Sequence, residues 1–153
     1  MKLHKLIADL KQKATVELAY ANCRPSFQHR YALSRLKQEG YQLAVCSNSI
    51  RSTVDLMMSL TRLRTYLDFF LSNEDVERAK PAPDIYTHAI GQLGVDPREV
   101  LIVEDNDHGI EAARRSGGHV MIVSNVDDVS YARIRENIDR VNREEVSTDR
   151  ATA

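Results

Sequence analysis

Cysteine, charge of one sign and long apolar runs are all scarce in this sequence, and each scarcity removes a class of protein. The two cysteines, Cys23 and Cys46, form neither a CxxC pair nor a disulfide framework, so a stapled secreted scaffold is excluded and a reducing cytoplasmic setting is expected. A net charge of −1 leaves no basic field, which excludes nucleic acid as the main partner. No apolar run approaches the roughly 18 residues of a membrane span, and the amino terminus lacks the apolar stretch of a signal peptide. No membrane partner is therefore expected. Repeats and low-complexity segments are absent too. What remains is a globular composition, 42% hydrophobic and 28% charged over 153 residues, enough for one domain with a real core.

The pattern that is present alternates helix and strand. Leu3, Leu6, Ile7 and Leu10 recur at helical spacing with Lys2, Lys5, Lys11 and Lys13 on the other face, which predicts a helix from Met1 to about Tyr20. Arg24-Pro25-Ser26 breaks it, and a second helix runs from about Ser26 to Gln38 with Gly40 past its end. Tyr41–Cys46 (YQLAVC) reads as the first strand, followed by a helix carrying Val54, Met57, Met58, Leu60 and Leu63. Phe69-Phe70-Leu71 is a short strand, and the prolines at 81 and 83 make SNEDVERAKPAPD a loop. Asp84 is the expected N-cap of the next helix, which carries Ile85, Tyr86, Ala89, Ile90 and Leu93 as its apolar side, and Asp96-Pro97 starts a short turn. Val100–Val103 then reads as a strand buried on both faces. A helix to about Ser116, a strand at His119–Val123 and a last helix with Val129, Ile134, Ile138 and Val141 complete the order. From Asn142 on, the residues are charged and small, and a frayed tail is expected. Alternation of this kind implies the α/β class, a parallel sheet with helices on both faces.

Chemistry collects at three places. The strand at Val100–Val103 runs into Glu104 and Asp105, two carboxylates at the end where open α/β sheets bind ligands, and such a pair suits a hard cation like Mg²⁺. Ser47 ends another strand in AVCSNS, offering a hydroxyl and backbone N–H groups, that of Asn48 among them, to a phosphate; the same residue types also serve as plain helix caps. Lys80 lies in RAKPAPD, where the prolines fix the loop and a flexible ammonium suits a phosphoryl group; taken alone, a loop lysine is a solvated charge. Cys46 reads as a small core hydrophobe, His4, His29, His88 and His119 lack metal-ligand spacing, and His108 reads as a loop residue. The pairs Arg135–Asp139 and Arg140–Glu144 stand at i, i+4 on solvated helix faces.

Together, AVCSNS, RAKPAPDIY and VLIVEDNDHGIEAARRSG resemble the motifs of the haloacid dehalogenase-like superfamily, and within it those of β-phosphoglucomutase-like phosphatases and mutases, over about Pro25 to Val123. The resemblance implies a Rossmann-like core at residues 25–141 and Mg²⁺-dependent phosphatase or phosphomutase chemistry on a small phosphorylated metabolite. It implies that Ser47 and the region of Asn48 hold the phosphoryl oxygens and that Lys80 balances charge between nucleophile and phosphate. Asp105, with Glu104 beside it, would hold the metal, and Gly109 would match the family's glycine in the following helix.

One part of the family pattern is missing. Members open with a strand ending in Asp-x-Asp, whose first aspartate attacks phosphorus; here the only aspartate before Ser47 is Asp9, in a helical pattern without a second acid. Residues 1–24 resemble only the last helix of a cap domain, and residues 142–153 are the tail. The chain therefore reads as a truncated or split member, inactive alone for want of an attacking group. The alternative is a non-catalytic binding or assembly module that keeps the fold. A receiver-type signalling domain fits worse, because receivers carry their acids early and their lysine late. In the family the missing strand is central, between the one ending at Ser47 and the one ending at Glu104. Buried hydrogen bonds left unmade cost about 1–3 kcal/mol each, so an empty slot is not expected. Either the two flanking strands pair directly, or a second chain or an amino-terminal fragment fills the slot.

Overall fold

Glycines at left-handed angles and short polar caps set several element boundaries. The computed structural model describes residues 2–151. Its elements are α1 (Lys2–Asn22), α2 (Phe27–Gln38), β1 (Ala44–Cys46), α3 (Arg51–Leu60), β2 (Phe69–Leu71), α4 (Asp84–Leu93), β3 (Leu101–Glu104), α5 (Asp107–Ser116), β4 (His119–Ile122) and α6 (Tyr131–Ala151). Gly40, Gly94 and Gly117 stop α2, α4 and α5 at φ of 91°, 70° and 87°, angles that a side chain disfavours. Ser26 caps α2 through its side chain, and Asp96 and Glu99 form a reciprocal capping box around a short turn before β3. The order of helices and strands is the predicted one.

Four boundaries differ from the expectation. The first strand is only Ala44–Cys46, because Tyr41 N–H still bonds back to the Leu36 carbonyl and the Asp68 carboxylate takes the Leu43 N–H at 2.7 Å. Helix α3 stops at Leu60, with Arg62 at φ 58°, so Leu63 lies beyond it. Asp84 is the first helical residue rather than the cap, which is Pro83; its carboxylate instead pairs with the Arg78 guanidinium at 2.9 and 3.0 Å. The frayed tail is replaced by helix, since α6 runs on through NREEVSTDRA, which holds no glycine or proline to stop it. Met1 and residues 152 and 153 lie outside the described residues.

Helix α1 packs through a different stripe from the one its leucines predicted. Gln12, Thr15, Val16, Ala19 and Cys23 turn inward, and Gln12 Nε2 donates to the buried Thr53 Oγ1 of α3 at 2.8 Å. Ile7 and Leu10 are left 43% and 58% exposed, while the side chains of Leu3 and Leu6 lie outside the described residues. No described helix is long and apolar enough to cross a membrane.

The strands form two parallel pairs, β1 with β2 and β3 with β4, in registers such as Val45–Phe70 and Val103–Met121. The two pairs share one layer. Leu71, Ile85, Tyr86, Ala89, Ile102 and Ala112 form a core beneath α4 and α5, with Cys46 packed against it. Ala32, Leu36, Met121 and Ile134 form another beneath α2 and α6, packed against Leu43, Leu101 and Val103. The first core thus touches both strand pairs and the second touches β3, β4 and the residues leading into β1, yet β1 and β3 do not pair with one another.

Backbone direction identifies the groups on that gap. Ser47 N–H donates to the Leu71 carbonyl and the Leu43 carbonyl accepts from Asp68, so alternate residues 43, 45 and 47 face β2 while Ala44 and Cys46 face away. Likewise the Val100 and Glu104 carbonyls accept from His119 and Val123, leaving Leu101 and Val103 on the edge away from β4. Direct pairing of the two flanking strands, one of the two expected outcomes, has not occurred. The residues on these edges, Ala44, Cys46, Leu101 and Val103, are half-buried rather than fully buried.

Candidate functional site

Ser47, Lys80 and Glu104 meet where β1 and β3 end. Ser47 leaves β1 with its N–H held by Leu71, and its hydroxyl accepts from the Ser49 N–H at 3.1 Å, forming a tight polar turn. The Asn48 side chain grips the backbone of Lys80 from both sides: Oδ1 accepts from the Lys80 N–H at 3.0 Å and Nδ2 donates to its carbonyl at 3.4 Å. The lysine loop is thereby tied to the end of β1. From there the Lys80 ammonium donates to the Cys46 carbonyl at 3.0 Å, to the Tyr86 hydroxyl at 2.8 Å and to Glu104 Oε1. Since the Cys46 carbonyl is bonded to Ser47, covalent reach alone keeps the Ser47 hydroxyl within roughly 10 Å of the ammonium.

This cluster is dry and fully partnered. The side chains of Lys80 and Glu104 are 8% and 6% exposed. Tyr86 donates its proton to Glu104 Oε1, and the ammonium also sits 4.7 Å from the Tyr86 ring centroid. The other carboxylate oxygen of Glu104 accepts from the Asp105 N–H at 3.3 Å and from Asn106 Nδ2 at 3.4 Å. Burial, and after it the bond to Glu104, pushes the Tyr86 phenol far above its ordinary pKa, so it remains a donor. Burial likewise pushes the Cys46 thiol up to about 12, against a smaller opposing pull from Lys80, which suits a core hydrophobe and not a nucleophile. Lys80 has three N–H donors and all three are spent inside the protein. An incoming anion gains a direct bond from it only by replacing one of them.

Helix α5 completes the site. Asn106 caps it by accepting from the Gly109 N–H at 2.9 Å, and Gly109 leaves the room that Glu104 occupies. A Cβ on Gly109 would lie 2.1 to 2.4 Å from the three carboxyl atoms of Glu104, closer than any side chain tolerates. Asp105, by contrast, is exposed, with Oδ1 accepting from Asn106 Nδ2 at 3.1 Å.

As a metal centre the described residues fall short. Among them there is no group of three or more His, Cys, Asp or Glu side chains able to hold an ion. Glu104 is committed to Lys80 and Tyr86, which leaves Asp105 as the one open carboxylate of the predicted pair. Mg²⁺ demands near-octahedral oxygen ligands, and this donor set does not supply them. Two residues escaped sequence reasoning. Tyr86 counted there only as an apolar contact of α4, although a buried phenol needs a polar partner. For Asn48 only the backbone amide was considered, and its side-chain grip on Lys80 spans a sequence distance that no local pattern shows.

Comparison with known proteins identifies the family and the fold. A profile of the family described as haloacid dehalogenase-like hydrolase matches residues 1–123. Pyrophosphatase PpaX of Bacillus velezensis is 35% identical over 85 residues, which is 56% of this chain and 39% of that protein. PpaX of Bacillus cereus is 33% identical over 92 residues, covering 60% of this chain and 43% of the relative. The chain thus spans about two fifths of the length of these curated relatives. Among solved structures, a protein assigned as a β-phosphoglucomutase from Thermotoga maritima aligns with a TM-score of 0.62 and 26% identity over 70% of this chain and 50% of its own. CbbY from Rhodobacter sphaeroides, solved in complex with phosphate, gives 0.67 and 26% over 78% and 56%. A haloacid dehalogenase-type hydrolase from Entamoeba histolytica gives 0.75 over 91% and 70%, at 19% identity a likeness of fold alone.

Proposed function

Because this chain belongs to the haloacid dehalogenase-like hydrolase family, we propose that it carries the phosphoryl-binding half of a phosphatase or phosphomutase site for a small phosphorylated metabolite. The observation that supports this most directly is the Lys80 ammonium, joined to the Cys46 carbonyl and to Glu104 beside the Ser47 hydroxyl. A fixed positive charge next to hydroxyl and amide donors at strand ends is what a phosphoryl group needs. Ser47 and the Asn48 N–H donate to its oxygens, and the Asn48 side chain aims Lys80. Asp105 is the one open carboxylate this chain offers to the Mg²⁺ that the family chemistry calls for, and by itself it does not hold the ion.

The chain alone lacks the attacking carboxylate. Asp9, the one early aspartate, lies exposed on α1, on a helix rather than at a strand end. On this reading α1 is the last helix of a cap, and a second chain or an amino-terminal fragment brings the nucleophile. The second reading, a non-catalytic binding module, draws on the saturation of all three Lys80 donors. Titration with inorganic phosphate followed by amide NMR tests the site itself. Weak, millimolar-range shifts are expected at Ser47, Ser49 and Lys80, lost in Ser47→Ala. Shifts centred elsewhere, or none at saturating phosphate, refute the proposal.

A further inference from the structure

Helix α2 turns an aromatic face to solvent. Phe27 is 84% exposed and Tyr31, one turn on, is 47% exposed, with the two rings stacked at 5.9 Å and 22°. Tyr131 of α6 meets Tyr31 edge-on at 5.9 Å and braces the stack from one side. The loop after β4 borders the same face: Gln28 donates to the Asp127 and Val129 carbonyls at 2.8 Å, and Val126 in that loop is 65% exposed. An exposed apolar patch of this kind marks an interface. We propose that two copies of this chain pair through it, α2 beside α2 and pointing the same way, about a two-fold axis parallel to the helix.

The charges select both the occupant and the direction. At about 100° per residue, Gln28 and Arg30 fall on opposite flanks of the Phe27–Tyr31 stripe. Gln28 holds the loop that carries Asp127, so an exposed anion and an exposed cation stand on either side of the aromatic rings. Among the described residues neither the Arg30 guanidinium nor the Asp127 carboxylate has a partner. An axis along the helices exchanges the flanks and keeps height, which sets Arg30 of each copy against Asp127 of the other. An axis across the helices would set Arg30 against Arg30. The rings are self-complementary too, since the bare face of one Phe27 offers the other an offset aromatic contact. A partner of one charge would match one flank and be repelled at the other. Further along, Arg35 would face the other copy's Lys37, each already paired with its own acid, Glu39 and Asp68. Contact is therefore confined to the first two turns. Four rings cover less than about 1,000 Å², short of the roughly 1,200–2,000 Å² of a stable complex. The dimer is accordingly weak, with a dissociation constant on the order of 100 µM. Because Gln28 ties the start of α2 to the loop at the carboxyl end of β4, the parallel arrangement leaves both Lys80 clusters at the same end of the pair. The inference does not rest on the phosphoryl reading.

Sedimentation of the full 153-residue chain from about 10 µM to 1 mM brackets that constant, and the average mass should rise from monomer toward dimer. Phe27→Ala should weaken the dimer about tenfold or more; its side chain is 84% exposed, so the variant keeps the fold, which circular dichroism checks. Arg30→Glu and Asp127→Lys alone should each weaken the dimer about fivefold, since each turns two attractions into repulsions. Together they should restore it to within about twofold of the parent. A chain that stays monomeric throughout overturns the proposal and leaves the face to a different protein or to a segment of a longer chain. A dimer that Phe27→Ala leaves intact also overturns it, because the contact then lies elsewhere, the exposed Ile7 and Leu10 of α1 being the alternative. Single reversals without effect, or without rescue in the double variant, overturn the parallel arrangement.

Discussion

Replacing Gly109 by alanine should destabilise the fold far more than a helix substitution of that kind normally does. Within a helix, alanine is favoured over glycine by roughly 0.5–1 kcal/mol, so propensity alone predicts a gain. Here the new methyl carbon would meet the Glu104 carboxyl atoms at 2.1 to 2.4 Å. The carboxylate has nowhere to retreat, because Lys80, Tyr86, Asp105 and Asn106 hold both oxygens. Relief requires breaking the buried ion pair, and breaking such a pair typically costs about 3–5 kcal/mol. Against a total of about 5–15 kcal/mol for a domain, that is a melting point lower on the order of 10 °C for a chain of this size. The control is Gly91→Ala in α4, where nothing lies within 4 Å of an added Cβ and the ordinary gain should appear. Urea denaturation followed by circular dichroism measures both. A Gly109→Ala protein as stable as the parent to within about 0.5 kcal/mol would show that Glu104 does not sit under α5, and the account of the site would fall with it.

Three further outcomes are expected. The chain alone should not turn over p-nitrophenyl phosphate with Mg²⁺; turnover that survives extensive purification and vanishes in Lys80→Ala would expose another nucleophile. Calorimetric titration should detect no micromolar Mg²⁺ binding, given one open carboxylate where a six-coordinate ion needs several ligands; a micromolar isotherm would contradict this. The third outcome concerns acid stability. The Ser72 N–H foremost, then the Ser72 hydroxyl and Arg51, hold Asp75 below the usual carboxylate range, so its contribution is present above about pH 4 and is lost as pH falls through the lowered value. Asp75→Asn should flatten the acid limb of the urea midpoint against pH, and an unchanged limb would refute it.

What could be read ahead of the structure was whatever depends on neighbours in sequence. Gly40 announced a helix end, Asp96-Pro97 announced a turn, and apolar runs announced four strands in the right order. Ser47, Lys80 and Glu104 were legible as polar residues at strand ends or in a proline-held loop. What escaped depends on tertiary partners. The inward stripe of α1 at Gln12, Thr15, Val16 and Ala19 is small and partly polar, so it loses to the leucines in any count of hydrophobic period, yet it fits against Thr53. The continuation of α6 was hidden by a composition that looked like tail. Glu104 was read as a metal ligand because its neighbour is an acid; its buried partners, Lys80 and Tyr86, lie 24 and 18 residues away.

The open gap was the least expected feature, and its persistence has a physical explanation. Unpaired strand groups sealed in a dry apolar layer would each cost about 1–3 kcal/mol. Ala44, Cys46, Leu101 and Val103 are only half-buried, so these edges do not lie in a fully dry layer and part of that cost is relieved. Closure, by contrast, would bring the two strands to about 4.8 Å. That would leave the Lys80 ammonium no room between the Cys46 carbonyl and Glu104, the contacts that now join the two halves at their carboxyl ends. Stripping a buried lysine of its partners costs more than wetting two short edges. Lys80 thus works as a strut that keeps the sheet parted.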